Sequence, residues 1–344
     1  MTTSETSPEK PRGPFWRNEI GGALSGAFVA FSVAVPVGTL TLAPLGLGFA
    51  GTGVAAGLVG TAVGGLAACL AGGTNHLRSG PVTAVALVVN ALIAALLVLP
   101  GMRASTAAGL PPALTFAFLC VTLAGLLQML FGVLRLGNAI RFVPRPVLAG
   151  FRNGIALVIA ATQLPILLGL SRPIWRYDAA DLIGAAHPWN VTVGAVTVAS
   201  ILLARRSRFT ATALFAGLIL GTVSHHALRL FLADGQLGAT IGALPALHDL
   251  PAAWRTFAGL FVDGGLRASA LTVAPAIGVA LVGSVLSLLA AQVVSDVTRE
   301  RSDSNRELVG QGLGNVVSGL FGGAPIGGSP SPSMASYRGG ARTR

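Results

Sequence analysis

Charge placement constrains this chain more than any other feature. Residues 20–77, 79–102, 104–134, 153–171, 182–204, 209–228, 268–295 and 308–337 hold no Asp, Glu, Lys or Arg. A helix crossing the hydrocarbon core needs roughly 20 mostly apolar residues, and the first of these stretches is long enough for two. Only 10% of the 344 residues are charged, against about 25% in soluble domains. The 46 glycines suit close helix packing in lipid. They do not suit a β-barrel, which would show short alternating segments. The reading is an all-α polytopic membrane protein. Cys69 and Cys120 both fall inside apolar spans, as small packing residues. No His or Cys pair has ligand spacing with a third partner, so neither a metal nor a cofactor is expected.

The formal charge of +11 could suggest nucleic acid, but its distribution points to the lipid bilayer. Lys10, Arg12 and Arg17 precede span 1. Arg135, Arg141, Arg145 and Arg152 follow span 4. Arg205, Arg206 and Arg208 follow span 6, and Arg299, Arg301 and Arg306 follow span 8. Even-numbered spans therefore exit on one basic side, the positive-inside pattern of a multi-pass cytoplasmic-membrane protein with a cytoplasmic N-terminus. The first residues lack an apolar h-region and read as a disordered tail rather than a signal peptide.

Ten segments can be drawn, over 18–42, 48–71, 81–100, 112–134, 146–170, 188–204, 209–232, 269–295, 306–321 and 329–343. A turn over 178–189 reads as external. A mixed connector over 233–267 carries a short interfacial helix near 252–262 and separates seven segments from three. Segments 3 and 10 each follow a glycine-rich polar break, "AGGTNHLRSGP" (71–81) and "GGAPIGGSPSPS" (322–333). Each is third in its set. Segment 8 follows an odd number of spans, so the second set is inverted. Interrupted spans at matching positions of two halves are the sequence pointer to a transporter site.

A half-helix starting at mid-membrane is tolerated only beside protein or a wet cavity. Its free N–H groups and its dipole end, worth about half a positive charge, attract an anion. Pro81 fits the first helical position, leaving Val82 and Thr83 to present N–H groups and Thr83 a hydroxyl. In the second break Ser329 would cap the helix, with Pro330 first and Pro332 third. Ser331 and Ser333 would supply N–H and hydroxyl donors. Arg78 is expected to snorkel at the membrane edge and His76 to be a loop residue. His225 and His226 are expected at the interface. Asp296, Asp303 and Glu307 are expected to form a solvated ion-pair surface beside Arg299, Arg301 and Arg306. No catalytic set is found, so no enzyme is expected within these residues.

At these motifs the chain resembles the sulfate permease (SulP) family of inorganic anion transporters. "LGNAIRFVPRPVLAGFRNGIALVIAATQLPILLGL" (136–170) is similar to the family's segment 4–5 junction, and "GGTNHLRSGP" (72–81) to its segment 3 start. "SNRELVGQGLGNVVSGLFGG" (304–323) followed by "GGARTR" (339–344) resembles its segment 9–10 block. The resemblance runs from about residue 18 to the end. It implies a seven-plus-seven inverted-repeat fold. Residues 1–17 would be the cytoplasmic tail and 18–134 core segments 1–4. Residues 135–232 would be gate segments 5–7, 233–268 the connector, and 269–344 core segments 8–10. It implies an inorganic anion held between half-helices 3 and 10, at Pro81, Val82, Thr83, Gly328 and Ser329, with Val37 and Thr41 as the segment 1 wall. A homodimer is left open as the assembly.

The chain departs from the family pattern in four ways. Leu286 stands where many members carry a segment 8 carboxylate, the natural proton or sodium coupler. Pro332 stands where many have Arg. Val37 and Thr41 replace polar and aromatic residues. The sequence stops at Arg344, before the segments 11–14 and STAS domain that the resemblance implies, so a fragment of a longer product or a truncated gene is expected. A secondary transporter of sulfate, bicarbonate or chloride is the main expectation. A truncated non-transporting protein and the membrane part of a transporter–carbonic anhydrase fusion are the alternatives.

Overall fold

The apolar segments form helices because lipid leaves backbone groups no other partner. The structure, a computed structural model, describes residues 15–102, 111–138, 145–170, 178, 184, 186–206, 213–232 and 265–343. Segment 1 is α1 (Phe15–Leu42). Segment 2 is α2 (Ala50–Val59), a π-helical turn (Gly60–Gly64) and α3 (Gly65–Ala71). Segment 3 is a short strand β1 (Arg78–Pro81) followed by α4 (Thr83–Leu96). Then come α5 (Pro112–Val133), α6 (Arg145–Leu168), α7 (Pro188–Arg206), α8 (Ala213–Arg229) and α9 (Gly265–Thr298). The set closes with α10 (Ser304–Leu320), β2 (Ile326–Ser329) and α11 (Pro330–Arg338). Four stretches among the described residues are long and apolar enough to cross a membrane: Phe15–Leu45, Leu47–Ala71, Pro112–Val133 and Ala268–Thr298.

β1 and β2 form an antiparallel ribbon in the register Arg78↔Ser329, Ser79↔Gly328, Gly80↔Gly327 and Pro81↔Ile326. Each unwound stretch thereby covers the other's backbone, which is how two interrupted spans coexist in lipid. Because the strands are antiparallel, α4 and α11 leave from opposite ends of the ribbon.

Around the ribbon, α10 packs along α5 and α3, and α9 packs along α4 and α5. The α5–α10 crossing is a backbone contact, since a Cβ on Gly125 would sit 2.6 Å from the Gly312 carbonyl oxygen. Small residues at such crossings let helices associate in lipid. The buried centre is apolar, with Val85, Val89, Leu92, Ile93 and Leu96 of α4 against Leu114, Phe116 and Val121 of α5 and Val279 of α9. α7 pairs with α8, and α6 with α7. Phe215 of α8 stacks on Phe28 of α1 at 4.4 Å and meets Phe31 edge-on at 6.2 Å.

Three boundaries differ from the sequence expectation. Segment 2 is interrupted by the π turn beside the ribbon, where only a glycine fits. A Cβ on Gly65 would come 2.7 Å from the Ser79 carbonyl oxygen. α4 starts at Thr83 rather than Pro81. α11 ends at Arg338 rather than near 343, where Gly340 takes φ +110°, a backbone conformation that favours glycine. Beyond it the Arg342 N–H donates to the Glu19 carboxylate at 2.7 Å. The first 14 residues and the expected interfacial helix near 252–262 lie outside the described residues.

Candidate functional site

The ribbon is held by a row of polar side chains on one face of α10. Spacing of four puts Glu307, Gln311 and Asn315 one above the other. The Asn315 side-chain amide takes both backbone groups of Ile326. The Ile326 N–H donates to Oδ1 at 2.8 Å and Nδ2 donates to the Ile326 carbonyl at 2.9 Å. The same Nδ2 donates to Gln128 Oε1 of α5 at 2.8 Å. Gln311 Nε2 donates to Ser79 Oγ at 2.6 Å and to Glu307 Oε1 at 2.8 Å. Glu307 Oε2 accepts the N–H groups of Gly73 and Thr74 at 3.0 and 2.9 Å. Glu307, Gln311 and Asn315 are all buried, so these bonds stand in for water that cannot reach them.

Two further hydroxyls complete the support. Ser333 Oγ accepts the Arg78 N–H at 2.8 Å and donates to the Ser329 carbonyl at 2.6 Å. Ser287 Oγ of α9 accepts the Gly328 N–H at 2.9 Å.

Where each half-helix begins decides which donors it offers. Val82 is extended (φ −114°, ψ 124°) and caps α4, so Thr83 is the first helical residue. Pro81, expected as the first helical residue, is instead the last strand residue, two positions before the helix starts. It is tolerated there because its partner Ile326 has both backbone groups bonded to Asn315 and needs no donor from it. Thr83, Ala84 and Val85 are thus the first-turn N–H groups with no intrahelical acceptor. In α11, Ser329 is the cap, as the sequence suggests, but its side chain makes no capping bond. Pro330 and Pro332 carry no N–H, so Ser331 supplies α11's one amide within the first three positions.

Both starts open on one cavity of about 760 Å³. Pro81, Val82 and Thr83 line one part of it, and Gly328, Ser329, Pro330 and Ser331 another. α9 adds Leu286, Leu289 and Ala290, then Gln292, Val293 and Asp296 farther along, and α1 adds Val33. No lysine, arginine or histidine is among these lining residues. Two helix N-termini begin at the cavity instead.

Several expected residues lie elsewhere. Val37 and Thr41 are buried in α1 packing. Thr41 Oγ1 donates to the Val37 carbonyl, and Thr41 lines a separate apolar void of about 10 Å³. The α1 residue that lines the cavity is Val33, one turn earlier. Ser333 turns back to Arg78 and is fully buried, so its hydroxyl is a brace rather than a cavity donor. The Gly328 amide is likewise taken by Ser287. Arg78 does not snorkel freely. Its guanidinium reaches Cys69 Sγ at 3.5 Å and the Thr343 carbonyl at 3.4 Å.

His76 is in a turn but buried, with Nε2 3.2 Å from Glu300 and the ring edge-on to Tyr337. The three acidic residues do not form one solvated surface. Asp303 caps α10 by accepting the Asn305 and Arg306 N–H groups. Asp296 opens on the cavity, and Glu307 is 2% exposed. Sequence reading missed Gln128, Ser287, Gln311 and Asn315. The Glu307–Gln311–Asn315 spacing inside an otherwise apolar span was the available signal.

Residues 22–344 match the sulfate permease family. The bicarbonate transporter BicA of Synechocystis is 33% identical over 85% of the chain and 49% of its own length. BicA of Picosynechococcus is 28% identical over 95% of the chain and 54% of its length. The putative sulfate transporter YvdB of Bacillus subtilis is 27% identical over 89% of the chain and 55% of its length. The chain thus spans about half the length of the curated relatives it matches. Among solved structures, the transmembrane domain of a cyanobacterial BicA superposes with a TM-score of 0.77 at 29% identity, over 97% of this chain and 79% of that one. The SLC26A9 structure shares the fold, with a TM-score of 0.68 at 17% identity over 96% and 51%.

Proposed function

The chain belongs to the sulfate permease family, and from that premise we propose that it is the anion-holding part of a secondary transporter for small inorganic anions. One observation carries the reading. Two half-helices start from a single paired ribbon and open on one cavity, and that cavity has no basic side chain. Two N-termini, each equivalent to about half a positive charge, together balance roughly one negative charge. The Thr83 and Ser331 N–H groups and hydroxyls are the donors that would touch the anion. Pro81, Val82, Ser329 and Pro330 shape its surroundings.

Segments 1–4 and 8–10 form the moving core and segments 5–7 belong to the gate, with the aromatic contact of Phe215 on Phe28 and Phe31 lying between them. Transport proceeds by elevator-like displacement of core against gate. The N-terminus is cytoplasmic, the assembly is a homodimer in the cytoplasmic membrane, and the protein moves its anion without a chemical step. Relatives named for bicarbonate and for sulfate leave both, with chloride, as substrates to be tried.

Leu286 lines the cavity at the position where the family resemblance implies a coupling carboxylate. Uptake is therefore expected to be independent of sodium and proton gradients. The test is uptake of labelled bicarbonate, sulfate and chloride into proteoliposomes holding the full chain, with and without each gradient. Saturable uptake unaffected by the gradients supports the reading. Strong dependence on either gradient refutes uncoupled transport, and no saturable uptake of any of the three refutes the transporter.

A further inference from the structure

We infer that Ser287 is a positioning residue for the anion site, setting where half-helix α11 begins relative to the α9 wall. The inference rests on the transport reading above. Ser287 is fully buried on α9 and does not line the cavity, whereas its chain neighbour Leu286 does. Its Oγ accepts the Gly328 N–H at 2.9 Å. This side-chain bond ties α9 to the ribbon. The contact is tight on both sides. A Cβ on Gly327 would sit 3.2 Å from Ser287 Oγ, and one on Gly328 would sit 3.3 Å from Ser287 Cα and 2.9 Å from Leu77 Cδ2. β2 therefore rests directly on α9, and Ser287 fixes its height.

The consequence runs along the chain. Gly328 precedes the cap Ser329, and Ser331, the single first-turn amide of α11, follows one residue beyond Pro330. With so few rotatable bonds between them, a shift at Gly328 moves the Ser331 donor. On the other side of Gly328, Asn315 holds Ile326. Asn315 and Ser287 thus pin β2 from α10 and from α9 at alternate residues, which point the same way in a strand pair. Asn315 satisfies both backbone groups of the buried Ile326 and the Gln128 side chain as well, while Ser287 takes a single amide, the one just before the cap of α11. Losing the Asn315 bonds therefore threatens the fold, and losing the Ser287 bond changes mainly the placement of the donor.

The isosteric pair Ser287→Thr and Ser287→Val separates the hydroxyl from the volume, since the two differ only in that group. Ser287→Ala removes the hydroxyl without added bulk. In proteoliposomes holding the full chain, Ser287→Ala and Ser287→Val are expected to raise KM for the transported anion about fivefold, the scale of one hydrogen bond. Maximal rate should change little, as when only placement of a binding group is lost. Ser287→Thr should restore KM. Amide hydrogen exchange of the peptide covering 326–331 should quicken in the Ala and Val variants and not in Thr, which reads the bond even in a variant that does not transport.

Unchanged KM in Ser287→Ala would overturn the inference, and so would equal losses in Thr and Val. Unchanged exchange at 326–331 would do the same. Wild-type vesicles with no saturable uptake would refute the transport reading, and the positioning role with it. A faster exchange at 326–331 in Ser287→Ala would then still mark the bond as a property of the fold.

Discussion

The two half-helices begin in the same way and are held in different ways. α4 runs on for fourteen residues and sinks Val85, Val89, Leu92, Ile93 and Leu96 into the apolar centre. Its start offers three consecutive amides. α11 has nine residues, and its buried positions are Pro332, Ser333, Ala335 and Ser336. Its start offers one amide between two prolines. α4 is fixed by packing along its length. α11 lies close on α1, where a Cβ on Gly22 would sit 2.6 Å from the Ser336 carbonyl oxygen, and its start is set by what grips the strand before it, namely Asn315, Ser287 and Ser333. Equivalent backbone geometry in two repeats therefore need not mean equivalent tolerance to change, because one start leads into a long helix with an apolar buried face and the other into a short helix with a polar one.

That difference can be broken most severely at Asn315. Asn315→Leu would strand the Ile326 N–H and carbonyl and the Gln128 side chain in the interior. Each buried group left unpaired costs about 1–3 kcal/mol, so a loss of about 4 kcal/mol is expected. Thermal unfolding in detergent would read it, as a sharply lowered midpoint or an absence of monodisperse protein. A midpoint near wild type would mean that the clamp on β2 is dispensable.

The next contrast is between donors. Ser331→Pro removes α11's one first-turn amide, and Thr83→Pro removes one of three in α4. Proline is tolerated in a helix's first turn, so both proteins should fold. Saturable uptake is expected to vanish in Ser331→Pro. In Thr83→Pro, KM should rise about tenfold, the scale of one lost bond to a charged group. Equal effects would show that the two starts share the anion evenly, against the asymmetry argued above.

The smallest effect is electrostatic. Asp296 lines the cavity near Gln292 and Val293, ten residues along α9 from Leu286 and hence roughly 15 Å away at about 1.5 Å rise per residue. A like charge at that range in a solvated mouth costs an anion well under 1 kcal/mol. Asp296→Asn is therefore expected to lower KM by about twofold, less so at high salt. A raised KM would instead give Asp296 a direct part in transport.

Much of this was legible from the chain alone. Charge-free runs announced the spans, and two glycine-rich polar breaks announced the interrupted ones, with Ser329 and Pro330 at the correct positions of the second start. The first start was misread by two residues. Proline rules describe a helix's own needs, and what admits Pro81 into a strand is a side chain on α10, more than two hundred positions away. Val37 and Thr41 were placed by resemblance, yet the α1 wall is one turn earlier, which depends on the height at which two helices cross. Glu307 read as a surface charge because Arg306 and Asp303 flank it. It is buried because α10 turns that one residue toward the Gly73 and Thr74 amides.

The sequence by itself determined the solvent this protein folds in, the number and order of its described spans, and the two places where a backbone must be left open. Those follow from local energetics: unpaired peptide groups and charges are too costly in hydrocarbon to appear without cause. Tertiary structure alone decided which open groups stay open. The antiparallel register of β1 and β2 satisfies some, and Asn315, Gln311 and Ser287 take others. Thr83 and Ser331 line the cavity from the first turns of α4 and α11, where helix geometry gives their amides no intrahelical acceptor.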